Sequence, residues 1–155
     1  GEWENTLVLF LTDNGACPEQ PNTTPEIPPG PVESYRTISV EWANASNTPY
    51  RKFKSTDYEG GIRTPFIAHW PGVIEGGTTD QVGHIIDVSA TFRDITGAGY
   101  PAVIADKKTR PPVGKSLLPV FRGQQRESHA VLFWHFVIIS GFILVMWATN
   151  SLSVI

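Results

Sequence analysis

The sequence predicts an α/β fold: part of a mixed or mostly parallel sheet flanked by helices, rich in loops, with an atypical apolar segment at its C-terminal end. Three observations predict it. Two apolar runs, residues 5–12 and 66–70, lack the alternation of a half-exposed strand and stop at turn-forming residues. A helical pattern after the second run has Asp87 near its start and Gly97 just past its end. Thirteen prolines and fourteen glycines assign much of the remainder to loops.

Composition narrows the function classes. At 155 residues, with 41% hydrophobic and 17% charged content, the chain can bury a core and is not a disordered tail. A net charge of −3 offers no basic face for nucleic acid. The one cysteine, Cys17, excludes an internal disulfide framework and a cysteine-based zinc site. The chain starts at Gly1 and its single methionine is Met146, so the natural sequence is expected to continue upstream.

Residues 5–12 (Asn-Thr-Leu-Val-Leu-Phe-Leu-Thr) read as a strand buried on both faces of a parallel sheet, followed at once by Asp13-Asn14-Gly15. Six prolines between positions 16 and 34 leave no room for a helix or a central strand, which predicts a surface loop. Residues 42–47 fit a short helix stopped by Pro49. Phe66-Ile67-Ala68-His69-Trp70 reads as a second core strand ended by Pro71-Gly72. In the helix that follows, Val88, Phe92 and Ile95 fall on one face. Residues 100–119 form another proline-rich and basic connection.

The end of the chain breaks the pattern. From 131 to 148 only His135, Ser140 and Gly141 interrupt apolar residues, with Trp134 and Trp147 near the two ends. That length just crosses a bilayer, and the tryptophans sit where interfacial aromatics would. An out-of-frame end and a buried terminal strand and helix explain the same residues. The expected division is therefore 1–130 and an apolar tail 131–155, with membrane association through 131–148 left open.

Few residues combine into chemistry. Asp13 and Asn14 follow a core strand, where open sheets bind ligands, and offer two hard oxygens suited to calcium or magnesium. Asp-Asn-Gly is also an ordinary turn sequence. Lys54, in Arg51-Lys52-Phe53-Lys54, can neutralise a sulfate or phosphate oxygen, or belong to a solvated basic face. Glu59-Gly60-Gly61 implies positive φ or a close backbone approach. Arg63 can clamp an anion or pair with Glu59. His69 and His84 read as structural, and His129 and His135 receive no role.

In order along the chain, these motifs resemble the sulfatase family of the alkaline-phosphatase superfamily, bacterial arylsulfatases especially. The likeness rests on the strand with Asp13-Asn14-Gly15, on Trp42 through Asn47-Thr48-Pro49-Tyr50-Arg51-Lys52-Phe53-Lys54, and on Tyr58-Glu59-Gly60-Gly61-Ile62-Arg63-Thr64-Pro65 with the strand after it. His84-Ile85-Ile86-Asp87 through Gly97 completes it, and Gly114-Lys115-Ser116-Leu117 and Leu132-Phe133-Trp134 add weaker matches. It covers about residues 3–134.

The resemblance implies an alkaline-phosphatase-like fold and hydrolysis of small sulfate esters, with residues 1–130 a C-terminal portion of the catalytic domain. Asp13 and Asn14 match metal ligands, for calcium with magnesium the alternative. Lys54 matches a sulfate-contacting lysine, and Glu59 and Arg63 stand as supporting residues. A periplasmic or extracellular location follows from the same likeness. The family's formylglycine arises in a Cys-x-Pro-x-Arg pattern that this chain lacks: Cys17 is followed directly by Pro18 and has Pro21 where arginine is required. The nucleophile is thus expected only in an N-terminal part of the enzyme, the implied partner of this chain. A phosphate- or phosphonate-ester hydrolase of the same superfamily, or a non-catalytic membrane-anchored remnant, are the alternatives.

Overall fold

The computed structural model describes residues 1–19, 23–136, 139–144 and 152–154. The chain forms two compact units. One comprises Gly1–Leu11, Pro65–Val131 and Leu144–Ile155, the other Thr12–Thr64 and Leu132–Ile143.

The first unit is built on a mixed sheet. After a 3-10 turn at Glu2–Asn5, strand β1 (Val8–Leu11) follows, as the apolar run predicts. It pairs antiparallel with β2 (Phe66–His69), Val8 opposite His69 and Leu11 opposite Phe66. The β2 strand lies parallel to β8 (Leu152–Val154), which is antiparallel to β3 (Gly77–Thr79). The order is β1-β2-β8-β3.

Burial on both faces of a parallel sheet, expected for β1, is not found. Its exposure alternates: Leu7 and Leu9 pack toward the core while Val8 and Phe10 remain 41% and 60% exposed. The physical reason is that only one face of β1 has a packing partner among the described residues. That core is Ala68, Leu117, Val120 and Phe121, with Leu7, Leu9, Phe66 and Ile74 against it.

Helix α3 (Ile85–Thr96) begins and ends where its caps dictate. His84 is the N-cap, its Nδ1 accepting from the Ile86 amide at 3.3 Å, while Asp87 Oδ2 accepts from the His84 amide at 3.0 Å. Gly97 closes the helix at φ 69°, the left-handed region where glycine carries no side-chain penalty. The face assignment needs correcting. Phe92 is 48% exposed, and the most buried residues are Asp87, Ala90 and Thr91. Two polar residues occupy that face because they bond an extended neighbouring segment rather than an apolar wall. Asp87 Oδ1 accepts from the Lys115 amide, and Thr91 Oγ1 from the Leu117 amide, both at 2.8 Å.

Beyond α3, β4 (Val103–Ile104) and β5 (Lys107–Lys108) form a two-residue hairpin through Ala105 and Asp106, both at positive φ. Helix α4 (Leu118–Phe121) carries much of the core.

In the second unit, α1 (Ser39–Ser46) begins three residues before the expected start and ends one residue before the expected end. The short α2 (Glu59–Ile62) holds Gly60 and Gly61. Between residues 16 and 34 the described part is irregular, as the prolines require. Of the apolar tail, β6 (Val131–Phe136) and β7 (Ile139–Leu144) pair as a two-stranded sheet. The rest of the 131–148 segment lies outside the described residues. No helix among the described residues is long and apolar enough to cross a membrane.

Candidate functional site

The second unit gathers the sequence-predicted site residues around a knot of backbone contacts. Gly15 N donates to Gly61 O at 3.0 Å, Lys54 N to Ala16 O at 3.1 Å, and Gly60 N to Arg51 O at 2.9 Å. Three segments (13–16, 51–54 and 59–61) are therefore held together by their main chains, and the glycines permit it by closeness. A Cβ on Gly15 would lie 1.7 Å from Gly60 O, and one on Gly60 would lie 2.2 Å from Lys52 O. One on Gly61 would lie 2.3 Å from Thr56 O. None of the three needs positive φ, so close approach is the reading that applies.

Asn47 organises the same knot, and the sequence reading missed it. Its Oδ1 accepts from the Ala16 amide at 3.1 Å, and its Nδ2 donates to Lys52 O at 2.9 Å. Asn44 Oδ1 accepts from the Lys52 amide at 2.8 Å. These bonds hold Lys52 at φ 69°, with Ser55 at φ 69° on the far side of Lys54. Left-handed backbone at non-glycine residues persists only where its surroundings over-determine it. Nothing in a lone asparagine within a short helix signals this; only the repeat of asparagine at 44 and 47, facing a kinked basic segment, hints at it.

Lys54 is brought to the segment that carries Asp13 and Asn14. Its ammonium stands 3.0 Å from Glu19 Oε1 and 3.9 Å from Cys17 Sγ. The hydrogen bond to Glu19 raises the Lys54 pKa above the ordinary lysine value, with Cys17 and the Glu19 charge next and the Asp13 charge adding to it. Lys54 in turn holds the Glu19 carboxyl below its usual range, helped by the Cys17 thiol and Tyr35. Asp13 is exposed and Asn14 half-buried, and neither side chain has a hydrogen-bond or ion-pair partner within this unit among the described residues.

Arg63 does pair with Glu59, Nη1 to Oε2 at 3.2 Å, one helical turn apart. Its guanidinium also lies over the Tyr50 ring, 4.4 Å from the centroid. Arg51 and Lys52 flank the Tyr58 ring at 5.7 and 5.9 Å. The three neighbours of Lys54 in charge are thus engaged with rings or carboxylates.

A second titratable cluster lies in the first unit. Asp87 is fully buried and accepts from Lys115 N, Arg126 Nη2 at 2.8 Å and the His84 amide, with His129 Nε2 at 2.7 Å. Burial alone would raise the Asp87 pKa, but the Lys115 amide, Arg126 and His129 together bring it below the usual carboxylate value. His129, given no role from sequence, is a structural member of this cluster. His84 is confirmed as structural, and burial lowers its pKa. His69 packs tilted against the Trp3 ring, centroids 5.2 Å apart. With Asp87, Arg126 and His129 all shut away from solvent, this cluster ties segments together and cannot meet a substrate.

Chemically, the Lys54 surroundings can bind an anion, and the free oxygens of Asp13 and Asn14 can bind a hard cation beside it. Among the described residues no group of three or more His, Cys, Asp or Glu forms a closed metal centre. The two oxygens fit calcium or magnesium in kind, as part of a coordination shell.

The chain as a whole is similar in sequence to known proteins. Residues 1–98 match the family model for Sulfatase. The chain is 34% identical to an arylsulfatase of Klebsiella aerogenes over 85% of its own length and 32% of that protein's. It is 36% identical to a sulfatase of Formosa agariphila, covering 86% of this chain and 20% of the relative. It is also 32% identical to the N-acetylgalactosamine-6-sulfatase of Canis lupus familiaris, over 84% and 20%. The chain spans a third or less of the length of these relatives.

Proposed function

Since the chain belongs to the sulfatase family, we propose that it is part of a sulfuric ester hydrolase in which Asp13 and Asn14 hold a divalent cation and Lys54 contacts the sulfate. The family also implies an alkaline-phosphatase-like α/β architecture, with which the helices and mixed sheet of the chain agree. One observation carries the reading: the 13–16 segment is bonded to the segment bearing Lys54, and Asp13 is near enough for its charge to act on that ammonium.

A bound calcium ion, with magnesium the alternative, would draw charge from the sulfuryl oxygens. What the chain itself supplies is position and charge. The Lys54 ammonium, fully protonated at neutral pH, neutralises a sulfate oxygen without a proton transfer. Arg63, stacked on Tyr50 and paired with Glu59, holds the α2 turn whose glycines seat Gly15. Neither Glu59 nor Arg63 needs to touch substrate in this scheme.

The nucleophile motif does not occur in this chain, so the reading is binding without turnover for the chain by itself, with an N-terminal part of the enzyme as its partner. A periplasmic or extracellular setting is proposed on the family's example. The test combines the purified chain, calcium and a chromogenic aryl sulfate. Binding strengthened by calcium, lost in Lys54→Ala and made calcium-independent in Asp13→Ala, is expected, with no hydrolysis. Turnover above the Lys54→Ala control, or binding indifferent to both substitutions, would overturn the reading.

A further inference from the structure

The anion nearest Lys54 belongs to the chain itself. Glu19 Oε1 takes the Lys54 ammonium at 3.0 Å, and Glu19 Oε2 accepts from the Tyr35 hydroxyl at 3.3 Å. One carboxylate thus spans two donors from two different segments. Tyr35 is not free to drift: its amide donates to Thr24 Oγ1 at 2.8 Å, and that hydroxyl donates back to Tyr35 O at 3.3 Å.

The sulfate group of an ester presents pairs of oxygens at a spacing close to that of a carboxylate and carries the same single negative charge. We propose that Lys54 and Tyr35 form an oxyanion cradle that Glu19 fills in the free protein, and that the sulfate group displaces Glu19 and takes a hydrogen bond from each. The inference rests on Lys54 being the sulfate contact, and adds Tyr35 as a further binding residue and Glu19 as its internal competitor.

Three features support it. The Glu19 and Lys54 side chains are 53% and 34% exposed, so the pair is weak and open to exchange. The contact is held by a carboxylate on an irregular loop, which can withdraw without breaking a strand or helix. Tyr35 is 48% exposed, so its hydroxyl is open to a solvent-borne anion once Glu19 withdraws.

The experiment titrates sodium sulfate into the folded chain at constant ionic strength, following side-chain NMR signals of Lys54 and Tyr35. Glu19→Gln should tighten sulfate binding about two- to fivefold, the range an exposed ion pair supports. Adding Tyr35→Phe should reverse a similar factor, and Lys54→Ala should abolish binding. Glu26→Gln, an exposed glutamate elsewhere in the loop, should change nothing and so separates displacement from net charge. If Lys54→Ala binds as well as the parent, the sulfate-contact reading fails and this inference with it. If Lys54→Ala abolishes binding but Glu19→Gln matches the parent or Glu26→Gln, only the competitor role is overturned. Absence of sulfate binding in both the parent and Glu19→Gln, with circular dichroism unchanged, overturns it as well.

Discussion

Asp87 and Arg126 stand 39 positions apart in the chain and meet through a 2.8 Å contact between Oδ2 and Nη2, the Asp87 side chain fully buried and that of Arg126 only 4% exposed. Removing one partner of a buried pair leaves the other uncompensated. Asp87→Ala or Arg126→Ala should therefore destabilise the first unit by about 3–5 kcal/mol. Urea unfolding measures it. A loss below that of an exposed pair such as Lys115 and Glu127 would contradict the structural role given to this contact.

Acid should act on the same cluster. Because the folded Asp87 pKa lies below the ordinary value, its contribution is complete above about pH 4 and fades as pH falls through the folded value. His84 acts sooner. Its folded pKa is lowered by burial, so the unfolded chain takes up the proton first and stability declines below about pH 6.5. His84→Asn keeps an acceptor for the Ile86 amide without a titrating ring. It should flatten the melting temperature between pH 7 and 5.5 relative to the parent.

The glycine knot predicts a sharp positional contrast. Gly60→Ala drives a methyl against the Lys52 and Arg51 carbonyls, at 2.2 and 2.5 Å before any relaxation. A loss of about 1–3 kcal/mol or more is expected, together with weaker sulfate binding at Lys54. Gly76→Ala meets nothing within 4 Å and should be neutral by thermal melting.

Asn47→Ala removes both bonds that tie residue 16 to residue 52. It leaves the Ala16 amide and the Lys52 carbonyl seeking water, at about 1–3 kcal/mol for the group left unsatisfied. Hydrogen exchange should show the Ala16 amide deprotected, along with Gly15 and Lys54, while α3 keeps its protection.

What could be read from sequence was what is local. The β1 and β2 runs, the α3 end signal at Gly97, and the proline-bound loop each announce themselves within a dozen residues. Asp13, Asn14 and Lys54 stood out by local chemistry, hard oxygens at the end of a strand and a lysine in a basic run, while Glu59 and Gly60-Gly61 implied contact without naming the contacted group. The polar stripe on α3 escaped notice because Asp87 and Thr91 look like solvent-facing residues until their partners, Lys115, Leu117, Arg126 and His129, arrive from far along the chain. Glu19 and Tyr35 escaped for a related reason: a loop carries no period from which a side chain's direction can be inferred.

The bonds from Asp87 to Lys115 and from Thr91 to Leu117 have a mechanical outcome. The connection between them, residues 98–112, is almost wholly exposed, and its hairpin turn presents Ala105 and Asp106 to any protease. Cleavage there should not release a fragment. The two halves would travel together through native gels and size exclusion, and come apart only when urea loosens the helix.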